Sequence, residues 1–159
     1  MADAAELDPQ RILEVLAENG VEYVLVGGLA VQTHGHPRTT QDVDLIPAPT
    51  PPNLARLARA LNTLGAEVVN PGAEGTRITA AMLPQATLWQ FSTPHGAVDV
   101  LHDAPGAGPY DALAERALTV ELGSTQVKVV GLDDLVRMKL ARGREIDRDD
   151  VASLTDSLD

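Results

Sequence analysis

Two aspartates stand one residue apart in the segment RTTQDVDLI, residues 38–46. Because side chains on a β-strand alternate between its faces, Asp42 and Asp44 would share one face, about 7 Å apart along the strand. Burying an ionised carboxylate costs several kcal/mol unless a cation pairs with it. The two acids therefore lie either on a solvated face of an exposed strand or around a metal ion.

A third aspartate interrupts another apolar run, AVDVL at residues 97–101. If this strand lies beside the strand of Asp42 and Asp44, Asp99 brings a third carboxylate to the same place. Three oxygen donors without cysteine or clustered histidine suit a hard cation, and Mg²⁺ is the natural choice. Since Mg²⁺ usually keeps open positions for water and substrate phosphate, the pattern points toward phosphate chemistry.

Two glycines, Gly27 and Gly28, end the apolar run VEYVLVGG that precedes the acidic strand. Glycine lets backbone N–H groups approach an anion closely, but a tight strand-to-helix turn explains the pair equally well. The sequence contains neither a GxxxxGK[ST] segment nor a GxGxxG segment, so it supports neither a P-loop nor a dinucleotide-binding fold.

The elements that position these residues can be predicted from periodicity and from turn residues. We expect helices at residues 8–19, 53–64, about 110–116, about 131–142 and 145–157, and strands at 21–28, 43–46, 66–69, 88–92, 97–101, 117–122 and 126–130. Residues 29–42 are expected to form a loop or short helix, and 77–82 a possible strand within an ambiguous stretch. Antiparallel hairpins with helices at both ends predict an α+β fold, a small mixed and largely antiparallel sheet flanked by helices, in a single domain over 1–159.

Composition narrows the functional classes. The chain has 159 residues, no cysteine and a formal net charge of −11, so thiol chemistry is excluded and a broad nucleic-acid-binding surface is disfavoured. Five of the 12 basic residues fall within residues 137–148, which leaves room for a local basic patch. No apolar run approaches 18 residues and the start MADAAELD is unlike a signal peptide, so we expect a cytoplasmic protein without membrane contact.

The segment VLVGGLAVQTHGHPRTTQDVDLI as a whole resembles the signature of the nucleotidyltransferase superfamily that includes DNA polymerase beta. That signature is an apolar strand, a Gly-Gly or Gly-Ser turn, about a dozen residues, and then DxD on the next strand. Together with the C-terminal segment KLARGREIDRDDV, it is similar to the minimal and abortive-infection-type nucleotidyltransferases of prokaryotic toxin–antitoxin systems. Gly28 stands where many relatives have serine, so phosphate contact there must come from backbone amides.

The resemblance implies a nucleotidyltransferase fold and transfer of an NMP from an NTP to an acceptor hydroxyl. Asp42 and Asp44 would bind two Mg²⁺ ions, with Mn²⁺ as a substitute, and Asp99 would bind the ion that activates the hydroxyl. Arg38 and Arg144 become candidates for phosphate binding, or are surface arginines. The acceptor could be a tRNA end, a partner protein or a small molecule, and a cognate toxin or antitoxin is an implied partner. The alternative is a non-catalytic nucleotide-binding or antitoxin-like module with the same fold.

Lys139 and Asp147 are predicted to point inward from the two C-terminal helices. At 100° per residue Lys139 falls within an apolar arc formed by Leu132, Leu135, Val136 and Leu140. Asp147 falls within the apolar stripe of the next helix, formed by Val151, Leu154 and Leu158. Inward charges need partners. The two residues either form a structural pair that joins the helices, or Lys139 neutralises a triphosphate while Asp147 orients it or nearby groups.

The histidines give weaker signals. The HGH segment at residues 34–36 has no third nitrogen or sulfur ligand nearby, so a loop role is the better interpretation. His102 directly follows the strand of Asp99, where it could line a cleft.

Overall fold

The computed structural model describes residues 6–37 and 39–156, and the prediction for Arg38 lies outside them. In these ranges seven strands form one mixed sheet in the order β3-β4-β5-β2-β1-β7-β6. The strands are β1 Tyr23–Val26, β2 Asp42–Pro47, β3 Glu67–Val68, β4 Leu88–Thr93, β5 Gly96–Leu101, β6 Leu118–Leu122 and β7 Thr125–Val129. The α-helices are α1 Pro9–Glu18, α2 Gly27–Thr33, α3 Pro51–Thr63, α4 Tyr110–Arg116, α5 Leu132–Arg142 and α6 Glu145–Asp156.

The centre of the sheet positions the acidic residues. β2 pairs in parallel with β5, where Asp44 lies opposite Asp99, and antiparallel with β1, where Asp44 lies opposite Val26. The remaining neighbours are antiparallel except for β1 with β7. The sheet is therefore mixed and largely antiparallel, which confirms the predicted α+β class.

Alternation along β2 and β5 separates an apolar face from an acidic one. Val43, Leu45, Val98 and Val100 are completely buried, whereas the three aspartates on the opposite face are half-buried. Helices α1 and α3 contact β2 and each other. One face of the central strands therefore belongs to the hydrophobic core, and the other presents the three carboxylates.

Local sequence explains where the outer helices begin and end. The Asp8 carboxylate accepts a hydrogen bond from the Arg11 backbone N–H (3.2 Å), and Pro9 occupies the first turn of α1. Helix α5 ends at Gly143, whose φ of +67° lies in the left-handed region that favours glycine. This turn lets α6 fold back against α5.

Two predictions about local structure are wrong. Residues 77–82 form no strand. Instead they form turns and irregular backbone, where Asn62 Nδ2 donates to the carbonyl of Ile78 (3.1 Å). Leu140 does not belong to the apolar arc of α5, because it is 57% exposed while the helix turns Leu135 and Met138 inward. In α6, Leu154 is buried, and Leu158 lies outside the described residues.

Within residues 6–37 and 39–156, no helix has both the length and the apolar character that crossing a bilayer requires.

Candidate active site

Three carboxylates converge on the acidic face of the central strands. Asp42, Asp44 and Asp99 each offer a carboxylate oxygen, and these oxygens all lie within 4.8 Å of one another. They line a cleft of about 570 Å³ between the sheet and helix α5. The strand of Asp99 thus lies beside the strand of Asp42 and Asp44, as predicted, and the three acids form a cluster.

Burial and mutual repulsion disfavour the ionised forms of two of the three carboxylates. Burial, followed by the charges of Asp42 and Asp99, raises the pKa of Asp44 to about 8. Burial and the charge of Asp42 raise the pKa of Asp99 to about 6. Three carboxylate oxygens that lie side by side are a donor set suited to Mg²⁺, which would stabilise their negative charges. The residues therefore fit the cation that the sequence implies.

Gly27 lies directly against the carboxylates, at the first position of α2. Its φ is +72°, and a Cβ added there would overlap the carboxylate of Asp44. Only glycine allows this close approach of the backbone to the acidic cluster. Gly28 is buried within α2 and is not among the described residues that line the cleft.

Lys139 enters the cleft from α5 and is held from behind by α6. The side chain is 5% exposed, and its Nζ lies 3.4 Å from Asp147 Oδ1 and 3.3 Å from Asp150 Oδ2. Its positive charge also lowers the pKa of Asp44, although burial and the acidic neighbours outweigh this effect. Lys139 therefore pairs with Asp147, as one of the two predictions had it, and also lies at the cleft.

Arg144 is the second basic residue that the structure brings to the cleft. It forms two side-chain bonds with Asp147, from Nε to Oδ2 (2.6 Å) and from the terminal nitrogen to Oδ1 (3.0 Å). Burial alone would raise the pKa of Asp147, but the bonds from Arg144 and the charge of Lys139 lower it to about 2. Asp147 is fully buried and is not among the described cleft-lining residues, so it acts on the cleft only through these two cations.

Several residues in the cleft or next to it were not predicted from sequence. Asp150 is 1% exposed and also lies 3.6 Å from His36 Nε2. Its spacing of three from Asp147 on α6 was a usable signal, because such residues share a helix face. Arg142, from the basic segment 137–148, lines the cleft, and its charge is one of the influences that lower the pKa of Asp99.

Gln90 was also missed. It lies opposite Asp99 on β4, and finding it requires the strand pairing, which the sequence alone does not contain. His102 lines the cleft as the sequence suggested, and its buried Nε2 has no hydrogen-bond partner among the described residues.

The chain matches no protein-family model and no curated protein sequence. Solved structures do match its fold. The lincosamide antibiotic adenylyltransferase LnuA, solved with lincomycin bound, superposes with a TM-score of 0.62 at 14% identity, covering 94% of this chain and 98% of that chain. The antibiotic-resistance factor ANT(2'')-Ia gives a TM-score of 0.60 at 14% identity, with 94% and 82% covered. A nucleotidyltransferase-like protein from Paracoccidioides brasiliensis gives 0.55 at 21% identity, with 94% and 78% covered.

These similarities extend over nearly the whole chain and agree with the element order and the sheet described above. The protein therefore has the nucleotidyltransferase fold.

Proposed function

We propose that the protein is a metal-dependent nucleotidyltransferase, which moves an NMP from an NTP to an acceptor hydroxyl. The observation that supports this most directly is the convergence of the Asp42, Asp44 and Asp99 carboxylates within 4.8 Å in a cleft that also contains Lys139 and Arg144. A cleft that combines carboxylates with positively charged side chains can bind a polyphosphate together with its metal ion.

Asp42, Asp44 and Asp99 would hold Mg²⁺, or Mn²⁺ in its place, and the resemblance implies two ions. When bound, the metal supplies Lewis-acid stabilisation of phosphate charge and lowers the pKa of a coordinated hydroxyl.

The chain's own residues position the reactants. Gly27 lets the start of α2 lie directly against the acidic cluster, because it has no Cβ that would overlap the Asp44 carboxylate. Lys139 and Arg144 neutralise phosphate charge, while Asp147 and Asp150 fix the orientation of these cations. The acceptor hydroxyl gives its proton to solvent near Asp99. Its oxygen forms the new bond to the α-phosphorus as the bond to pyrophosphate breaks.

The finer assignments follow from the resemblance and from the structural neighbours. We propose Arg38 as a further phosphate-binding residue and Gly28 as a contributor of backbone amides. LnuA is a lincosamide antibiotic adenylyltransferase, which supports a small-molecule acceptor. The toxin–antitoxin resemblance supports a tRNA end or a partner protein, with a cognate toxin or antitoxin nearby.

Calorimetric titration with ATP, CTP, GTP and UTP, each with and without Mg²⁺, tests the proposal. We expect at least one NTP to bind, and only when Mg²⁺ is present. Asp44→Asn should abolish this binding, whereas Asp111→Asn, an exposed carboxylate on α4, should leave it unchanged. Absence of nucleotide binding in the presence of metal would contradict the proposal. Binding without pyrophosphate release in a cell extract would favour the non-catalytic module.

A further inference from the structure

The two walls of the cleft differ in charge. The wall formed by α5 and the turn after it, which we call the helix wall, contains the cleft's Lys139, Arg142 and Arg144. A second wall, which we call the strand wall, is formed by β4, β5 and the residues next to them. Its residues are Thr87, Leu88, Gln90, Leu101, His102, Asp103, Ala104 and Pro105. No lysine or arginine is among these strand-wall residues, and burial lowers the pKa of His102, which disfavours its charged form.

The strand wall combines an apolar patch with uncharged polar groups. Leu88 is 37% exposed and lies opposite Leu101, so two leucines adjoin on the cleft side. Gln90 shares this face and lies opposite Asp99, which places an amide next to the acidic cluster. His102 adds a buried Nε2 that has no hydrogen-bond partner among the described residues. An apolar surface with a few polar groups is typical of small-molecule sites.

We propose that the strand wall binds the acceptor, and that the acceptor is a small hydroxyl-bearing molecule with an apolar face and no phosphate. This inference rests on the proposed function. The triphosphate would occupy the helix wall, where the basic side chains are, which leaves the strand wall beyond Asp99 for the second substrate. Leu88 and Leu101 contact the apolar part of the acceptor, and Gln90 hydrogen-bonds a hydroxyl group of the acceptor.

Charge separates this acceptor from a nucleic acid. Proteins that bind nucleic acids neutralise phosphates with lysine and arginine, and this electrostatic contribution supplies much of their affinity. The strand wall offers no such residue and has the exposed carboxylate of Asp103 at its rim. The chain as a whole has a net charge of −11. A neutral or cationic molecule would meet no repulsion there, whereas an RNA end would.

The test uses the full chain with Mg²⁺ and NTPs labelled at the α-phosphate. Three probes are incubated separately: the low-molecular-mass filtrate of a cell extract, total tRNA, and the protein fraction of the same extract. We expect the labelled NMP to be transferred to a small molecule of the filtrate. In Leu88→Arg, labelling should fall by about tenfold or more, because a charged side chain replaces the apolar contact. Calorimetry should show NTP binding unchanged in this variant. Leu118→Arg, a matched change at a 50% exposed leucine on β6, should alter neither quantity.

The outcomes distinguish this inference from the proposed function. Failure of every NTP to bind with Mg²⁺ overturns the proposed function and the acceptor inference with it. Nucleotide binding together with labelled tRNA or labelled protein, or with an unlabelled filtrate, overturns the acceptor inference alone. Equal losses in Leu88→Arg and Leu118→Arg would also overturn it, because the effect would not arise from the strand wall.

Discussion

Asp44 has the most costly charge of the candidate site, because it is buried between two other carboxylates. Its pKa of about 8 lies above the ordinary value of 3.8, so the folded protein holds a proton that the unfolded chain releases. The contribution of Asp44 to stability is therefore greatest at low pH and is lost as pH rises from about 4 towards 8. A bound cation would reverse this loss, so the residue is optimised for a ligand at the expense of the free fold.

Asp44→Asn should consequently stabilise the metal-free protein at pH 8. We expect a gain of about 1 kcal/mol or more, equivalent to roughly 2–4 °C in Tm for a chain of this size. The same variant should lose the increase in Tm that Mg²⁺ gives the wild type. Thermal unfolding at pH 5 and pH 8 measures both effects, and a destabilised variant at pH 8 would show that the carboxylate has a partner in the free protein.

Gly27→Ala tests the close approach of the backbone to the acidic cluster. The new Cβ would overlap the Asp44 carboxylate and would also strain a left-handed backbone, so we expect loss of Mg²⁺ binding and a stability cost of about 1–3 kcal/mol. Gly72→Ala is the matched control, because Gly72 has φ +81° and no atom within 4 Å of the added Cβ. It should show the backbone strain but bind Mg²⁺ normally. Equal metal binding in the two variants would contradict the steric argument.

The sequence predicts those functional residues that stand out against the pattern of their own helix or strand. Asp99 is recognisable because an acid interrupts an alternating apolar strand, and Lys139 because a cation falls on the buried face of a helix. Gln90 is not recognisable in this way, since its relevance depends on its position opposite Asp99 in a neighbouring strand. Contacts between residues of different elements cannot be predicted from patterns within one element.

The contact between α5 and α6 is a charged layer rather than an apolar one. Lys139, Asp147 and Asp150 are all at most 5% exposed, and the two carboxylates lie on successive turns of α6. Removing one partner from such a buried group leaves a charge without compensation, which costs more than the pair itself contributes. The layer therefore fixes how the C-terminal helices meet and, with them, where the basic side chains enter the cleft.

Asp147→Asn should weaken this layer in a pH-dependent way. The pKa of about 2 lies below the ordinary 3.8, so the stabilising contribution is complete above about pH 4 and is lost as pH falls through 2. We expect a cost of about 1–2 kcal/mol at pH 7, since Arg144 is half-exposed and solvent screens its charge. Urea unfolding at pH 7 and pH 2.5 should show the difference from wild type shrinking at the lower pH.

The control for this prediction is Asp149→Asn, an exposed carboxylate on the same helix. It should change stability little at either pH. A cost for Asp147→Asn that stays constant between the two pH values would show that packing, rather than charge, stabilises the contact.

Element types were largely predictable because caps and periodicity are local. Asp8 and Pro9 begin α1, and Gly143 ends α5, through interactions within a few residues. The exposure of Leu140 was not predictable, because the rotation of α5 is set by α2 and α6, which it contacts. The structure of residues 77–82 likewise depends on a contact with Asn62, which lies on helix α3.

For the whole molecule, the fold concentrates negative charge at a site within a chain that is already acidic. The three aspartates lie in the middle of a sheet whose central order, β5-β2-β1, requires a parallel pairing between strands far apart in sequence. The sequence motif made that pairing an expectation, but the long-range contacts that produce it have no local signal. The net charge of −11 adds a general repulsion to the specific one in the cluster.

These two repulsions respond differently to salt, and the difference is measurable. Sodium chloride screens the general repulsion, so Tm should rise as ionic strength increases from about 0.01 M to 0.15 M. At equal ionic strength MgCl₂ should raise the Tm of the wild type further, because it also binds the three carboxylates. In Asp44→Asn the two salts should give equal Tm values. An advantage of MgCl₂ that persists in this variant would place the divalent effect elsewhere on the acidic surface, and the candidate site would lose its strongest physical argument.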